Sequence, residues 1–64
     1  MVYVNGEPIA ADGKTVAEFV SESSYDPQRI AVEKNGLIVP KRLYNETYLE
    51  DGDHIEVVSF VGGG

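Results

Sequence analysis

The chain contains no cysteine and no tryptophan, and only one histidine and one methionine in 64 residues. Without cysteine no disulfide can fasten so short a chain, and a single histidine cannot build a Cys/His zinc site. A domain of this length buries a modest core, so it folds on packing and backbone pairing alone and is expected to be only marginally stable. Basic residues are scarce too. Five Lys and Arg against eleven Asp and Glu leave a net charge of −6. Phosphate binding needs a basic stripe, so the composition argues against nucleic acid as a ligand. No apolar run approaches the roughly 20 residues that cross a bilayer. Met1 leads into strand-like residues rather than a charged and then apolar leader, so no signal peptide is visible. The expectation is one soluble, cytoplasmic domain with no membrane partner. No Ser-His-Asp, Cys-His or metal-ligand spacing occurs, and His54 stands at a strand start beside acids, where a surface role is the ordinary one. The sequence therefore offers no catalytic residue, no metal ligand and no bound cofactor, and argues against an enzyme with its own active site.

What is present is a regular alternation of strand signals and turns. Met1-Val2-Tyr3-Val4 has strand character, and Asn5-Gly6 is a two-residue hairpin signal because both positions tolerate positive φ. A second strand is expected over 7–11. Pro8 within it cannot donate a ladder bond, which assigns that strand to a sheet edge. Thr15-Val16-Ala17-Glu18 has the spacing of a capping box, and Val16, Phe19 and Val20 recur at helical intervals. The helix is expected to fade over 22–24, with Tyr25-Asp26-Pro27 as a connector. Ile30-Ala31-Val32-Glu33-Lys34 reads as a strand, Asn35-Gly36 as a second hairpin turn, and Leu37-Ile38-Val39 as the returning strand. The stretch 41–49 is ambiguous, with Leu43, Tyr44 and Tyr48 as expected anchors of an irregular loop holding a short helical turn or brief strand. Glu50-Asp51-Gly52-Asp53 is the densest acidic stretch; it reads as a solvated turn or as a patch for basic partners.

The last strand is expected over 54–61. Its near-continuous apolar character from Ile55 onward predicts a central strand buried on both faces. Directly after it the sequence closes on Gly62-Gly63-Gly64. Glycines there serve no turn. They make a thin tail, about 10 Å long when extended, that could enter a partner's active site and present the Gly64 carboxylate without neighbouring bulk. The domain is thus expected to comprise a body over 1–61 and a flexible tail over 62–64.

Hairpin, helix, hairpin, loop and strand in that order fit an α+β architecture, with one main helix packed on one face of a mixed four- to five-stranded sheet. With the last strand central and parallel to the first, this is the β-grasp, or ubiquitin-like, topology. One sheet face meets the helix; nothing in so short a chain is left to cover the other. Apolar residues there are candidates for partner docking. Phe60, Val58 and Ile38 are the candidates, and for Phe60 packing inside the core is an equal alternative.

The whole chain resembles the sulfur-carrier family of thiamine biosynthesis. The resemblance runs through Asn5-Gly6, Thr15-Val16, Val32-Glu33-Lys34-Asn35-Gly36 with Ile38-Val39-Pro40, Leu49-Glu50-Asp51-Gly52-Asp53, Ile55-Glu56-Val57-Val58 and Phe60-Val61-Gly62-Gly63-Gly64. It implies that the Gly64 carboxylate is adenylated with ATP and Mg²⁺ by an E1-like activating enzyme. Cysteine-derived sulfur then replaces the adenylate to leave a thiocarboxylate, which thiazole synthase consumes. Two rivals share the fold and the activation step: the small subunit of molybdopterin synthase, usually longer, and a ubiquitin-like tag conjugated to lysines. A pure interaction module with an idle tail is a third.

Overall fold

The computed structural model describes residues 1–60. Its strands are β1 (Val2–Val4), β2 (Glu7–Ile9), β3 (Ile30–Lys34), β4 (Leu37–Val39) and β5 (His54–Ser59), and its helix is α1 (Val16–Glu22). They form one five-stranded sheet in the order β2-β1-β5-β3-β4. β5 lies at the centre, parallel to β1 and antiparallel to β3, and the two hairpins flank it. β2, with Pro8, is an edge strand, as expected, and ends at Ile9 rather than 11. Both Asn-Gly turns have positive φ at both residues, 50° and 86° for Asn5-Gly6 and 52° and 87° for Asn35-Gly36. That twist matches the right-handed twist of the strands on either side.

A seven-residue helix is too short to persist alone. Its start is secured from two sides. The Thr15 hydroxyl accepts from Glu18 N at 3.1 Å, while the Glu18 carboxylate accepts from Thr15 N at 2.8 Å. The next free N–H groups, of Val16 and Ala17, donate to Thr47 O and Tyr44 O at 2.8 and 2.9 Å. The irregular segment before β5 therefore supplies the carbonyls that a helix start lacks. Val16, Phe19 and Val20 turn inward and meet Val2, Val4, Ile30, Val32, Ile55 and Val57 from the sheet. The core lies in this single layer between α1 and the sheet.

Two expectations are corrected. β5 is central but is buried on one face only: Ile55 and Val57 are 2% and 7% exposed, whereas Val58 is 50% exposed. Its centrality comes from backbone pairing on both sides, and α1 covers one face alone, so apolar Val58 does not report burial. Of the expected loop anchors, Tyr44 is buried and Leu43 packs against the core, but Tyr48 is exposed and Leu49, at 1% exposure, is the deepest residue of the segment. The helical turn foreseen in this stretch is a 3₁₀ turn over Lys41–Leu43, and an isolated bridge joins Tyr48 to Thr15. The connector after α1 contains a further 3₁₀ turn, Pro27–Arg29, opened by the Asp26 side chain accepting from Gln28 N at 2.9 Å.

Candidate functional site

The site that the sequence singles out is the end of β5 and the sheet face opposite α1. Ladder pairing with β3 runs Ile30 to Ser59 and Ala31 to Val58, and Phe60 N then donates to Arg29 O at 2.7 Å, one residue past the strand. The backbone is thus held in the sheet through Phe60. Gly62, Gly63 and Gly64, the residues proposed to carry the chemistry, lie outside the described residues, as do Val61 and the end of the expected strand.

All three candidate docking residues are exposed: Ile38 by 67%, Phe60 by 54% and Val58 by 50%. Packing of Phe60 inside the core is thereby overturned, because the alternation that buries Val57 turns the even-numbered residues of this strand the other way. The three do not form one contiguous cluster. Val58 faces Ala31 across the ladder, while Ile38 lies on the edge strand opposite Glu33, so Ala31 and Glu33 of β3 stand between them. At the far end of the same face Tyr3 is paired with His54, their rings stacked with centroids 5.2 Å apart and 17° between planes. Between that aromatic pair and the apolar residues lie Glu33 and Glu56, directly opposite one another in register. Neither carboxylate was singled out from the sequence. The signal was their shared even-and-odd offset from Ile38 and Val58, which only a known register converts into adjacency.

The acidic turn before β5 is built rather than merely solvated. Asp53 accepts from Asn35 Nδ2 at 2.9 Å and from Glu50 N at 2.8 Å, with Lys34 Nζ at 3.6 Å. Burial pushes the Asp53 carboxyl up, but these hydrogen bonds and the Lys34 charge outweigh it and hold the group below its ordinary value of 3.8. Lys34 also donates to Tyr48 O at 3.0 Å. This turn fixes where β5 enters the sheet, and hence where the tail leaves it.

Among the described residues no group of three or more His, Cys, Asp or Glu is placed to hold a metal ion. No helix among them is long and apolar enough to cross a membrane. A shallow cleft of about 220 Å³ opens on the helix side, lined by Ile9, Ala11 and Phe19 with the Lys14–Glu22 ion pair beside it. Its walls are mostly apolar and it is remote from the end of β5.

Comparison with known proteins converges on one family. The model of the ThiS family matches residues 2–64. The sulfur carrier protein ThiS of Thermus thermophilus is 41% identical over 69 residues, covering all of both chains. A thiazole synthase of Magnetococcus marinus is 38% identical over 64 residues, covering 98% of this chain but 20% of its own length. The crystal structure of a thiamine biosynthesis protein (ThiS) from Geobacter metallireducens superimposes with a TM-score of 0.82 at 31% identity, covering 98% of this chain and 97% of that one.

Proposed function

The chain belongs to the ThiS family, and from that membership we propose how it works as a sulfur carrier of thiamine biosynthesis: the acyl group of Gly64 is loaded with sulfur and unloaded by other proteins. One observation carries the reading. The family match extends to residue 64, so Gly62-Gly63-Gly64 belongs to the family pattern itself.

A carboxylate resists nucleophiles because of its charge. Reaction with ATP joins the Gly64 carboxylate to the α-phosphate and releases pyrophosphate. The activating enzyme supplies Mg²⁺ and cationic groups for this step. A sulfur nucleophile derived from cysteine then attacks the acyl carbon and AMP departs with the bonding electrons, leaving a thiocarboxylate. That sulfur is soft, ionised at neutral pH and nucleophilic, and thiazole synthase takes it into the thiazole ring. No step asks for a catalytic side chain on the carrier. What the body contributes is a recognisable surface, for which Phe60, Val58 and Ile38 are the candidate contacts, and a rigid anchor for the tail at Phe60. The Magnetococcus marinus thiazole synthase, about a fifth of which resembles this chain, supports a pairing of carrier and synthase, since joining them in one polypeptide raises their effective concentration.

The test is intact-mass measurement after incubation with ATP, an E1-like activating enzyme and a cysteine-fed sulfur donor. Exchange of one oxygen for sulfur at the C-terminus is expected. A ladder of lysine adducts would identify a conjugating tag instead, and an unchanged mass with an enzyme that loads a related carrier would refute both. Removal of Gly64 is expected to abolish loading while leaving the fold intact.

A further inference from the structure

Glu33 and Glu56 occupy facing positions in the centre of the sheet. Such cross-strand pairs bring Cβ atoms to about 4.5–5.5 Å, and like charges there are destabilising. Nothing in the chain relieves them. The ion pairs of the described residues engage the chain amino group, Lys14, Arg29 and Lys34, and none reaches either carboxylate. Lys34, the neighbour of Glu33, points to the other face and binds Tyr48 O and Asp53. The two acids stand on the face that α1 leaves open, flanked by exposed Ile38 and Val58 on one side and the Tyr3–His54 stack on the other.

On the reading of this chain as an adenylated carrier, we infer that Glu33 and Glu56 together receive a guanidinium group of the adenylating enzyme when it takes up the tail. Two carboxylates side by side match the forked donors of arginine, and a flat aromatic pair next to them offers a surface on which a guanidinium stacks. The apolar residues around them supply the area that excludes water. The enzyme's own task fits this chemistry. A site that brings ATP phosphates against the Gly64 carboxylate has to be rich in cations, and Glu56 lies four residues before Phe60, about 13 Å along an extended strand. An acidic band at that distance from the tail root meets the positive entrance of such a site. Thiazole synthase handles a tail without ATP and has no equal need of that charge.

The test measures affinity of the full chain for the adenylating enzyme, without ATP, at low and high salt. Glu33→Gln/Glu56→Gln is compared with Glu7→Gln/Glu46→Gln. The second pair changes net charge equally but lies off the open face, Glu7 by strand alternation and Glu46 in the loop that bonds to α1. We expect the open-face pair to weaken binding by about tenfold or more at low salt, to flatten its salt dependence, and to raise Tm. The remote pair should change affinity by no more than about threefold. Equal losses in both pairs would mean long-range attraction alone and overturn the inference. So would unchanged binding by the open-face pair, a fall in its Tm, or a loss confined to thiazole synthase. Loading of the wild-type chain with sulfur is followed in parallel by intact mass. Its failure would sink the carrier reading itself, whereas normal loading with unaltered binding by the variant would sink only this assignment.

Discussion

The side-chain amide of Asn5 pairs with the backbone of Val57 in both directions: Val57 N donates to Oδ1 at 2.9 Å, and Nδ2 donates to Val57 O at 3.3 Å. The parallel ladder between β1 and β5 runs through Tyr3 N to Asp53 O and Asn5 N to Ile55 O. At Asn5 the chain turns away with φ 50°, and its side chain takes the place of the next peptide group. Asn5→Gly tolerates that φ freely and removes only the amide, so its cost reads the two bonds: about 1–3 kcal/mol. Asn5→Ala adds a left-handed penalty of about 1 kcal/mol. Urea midpoints at unchanged m-value would show the two steps. Wild-type stability in Asn5→Gly would show that the bonds contribute nothing.

Asn35 repeats this device on the other side of β5, accepting from His54 N at 2.9 Å and donating to Asp53. Here the limits of reading a sequence become concrete. Asn-Gly signals a hairpin because of its backbone, and both hairpins were legible, as were the capping box of Thr15 and Glu18, the stripe of Val16, Phe19 and Val20, and the edge position of Pro8. All are local signals, decided within a few residues. That each turn asparagine also stitches in a strand 18 to 52 residues away depends on sheet order, which no local pattern encodes. The same holds for the candidate site. The glycine ending and the exposed side of β5 could be picked out by eye, although apolar Val58 and Phe60 suggested burial on both faces. The opposition of Glu33 and Glu56 could not, because adjacency there follows from register across two strands.

Leu49 and Tyr48 test how the irregular segment is anchored. Leu49 is 1% exposed and its N–H and C=O bond to Lys14 O and Gly13 N at 2.8 Å each. Tyr48 is 58% exposed. Leu49→Ala should cost about 2–5 kcal/mol, a large share of the stability of so small a domain. Tyr48→Ala should stay within about 0.5–1 kcal/mol. Thermal melts of the two variants give the comparison, and a reversed order would mean that the segment is held by its aromatic side chain.

Asp53 ties stability to acid pH. Its native pKa is held below the unfolded value, so the unfolded chain binds the proton more readily. The resulting stabilisation is complete above the unfolded carboxyl's range near 3.8 and is lost as pH falls through the depressed native value. Asp53→Asn should therefore be less stable than wild type at neutral pH, by about 1 kcal/mol, and the gap should close in acid below that range. Denaturation curves across pH would show the convergence. A gap independent of pH would assign the effect to side-chain shape instead of charge.

Phe60 and Val57 lie on one strand path but face opposite ways, which allows stability and recognition to be separated. Val57 is 7% exposed and Phe60 is 54% exposed. Val57→Ala empties part of the core and should cost about 2 kcal/mol, while the folded fraction still meets its partners through an unaltered open face. Phe60→Ala leaves the main-chain bond to Arg29 O in place and removes a ring that the core does not hold, so stability should change by no more than about 0.5 kcal/mol. If the open face docks the adenylating enzyme, Phe60→Ala should raise the concentration needed for half-maximal loading several-fold, because exposed aromatics next to a transferred tail are the usual anchors of an interface. Loading followed by intact mass at several carrier concentrations, together with a melt of each variant, gives two independent axes. Stability loss with normal loading in Phe60→Ala would place the ring in the core's service and remove it from the docking surface.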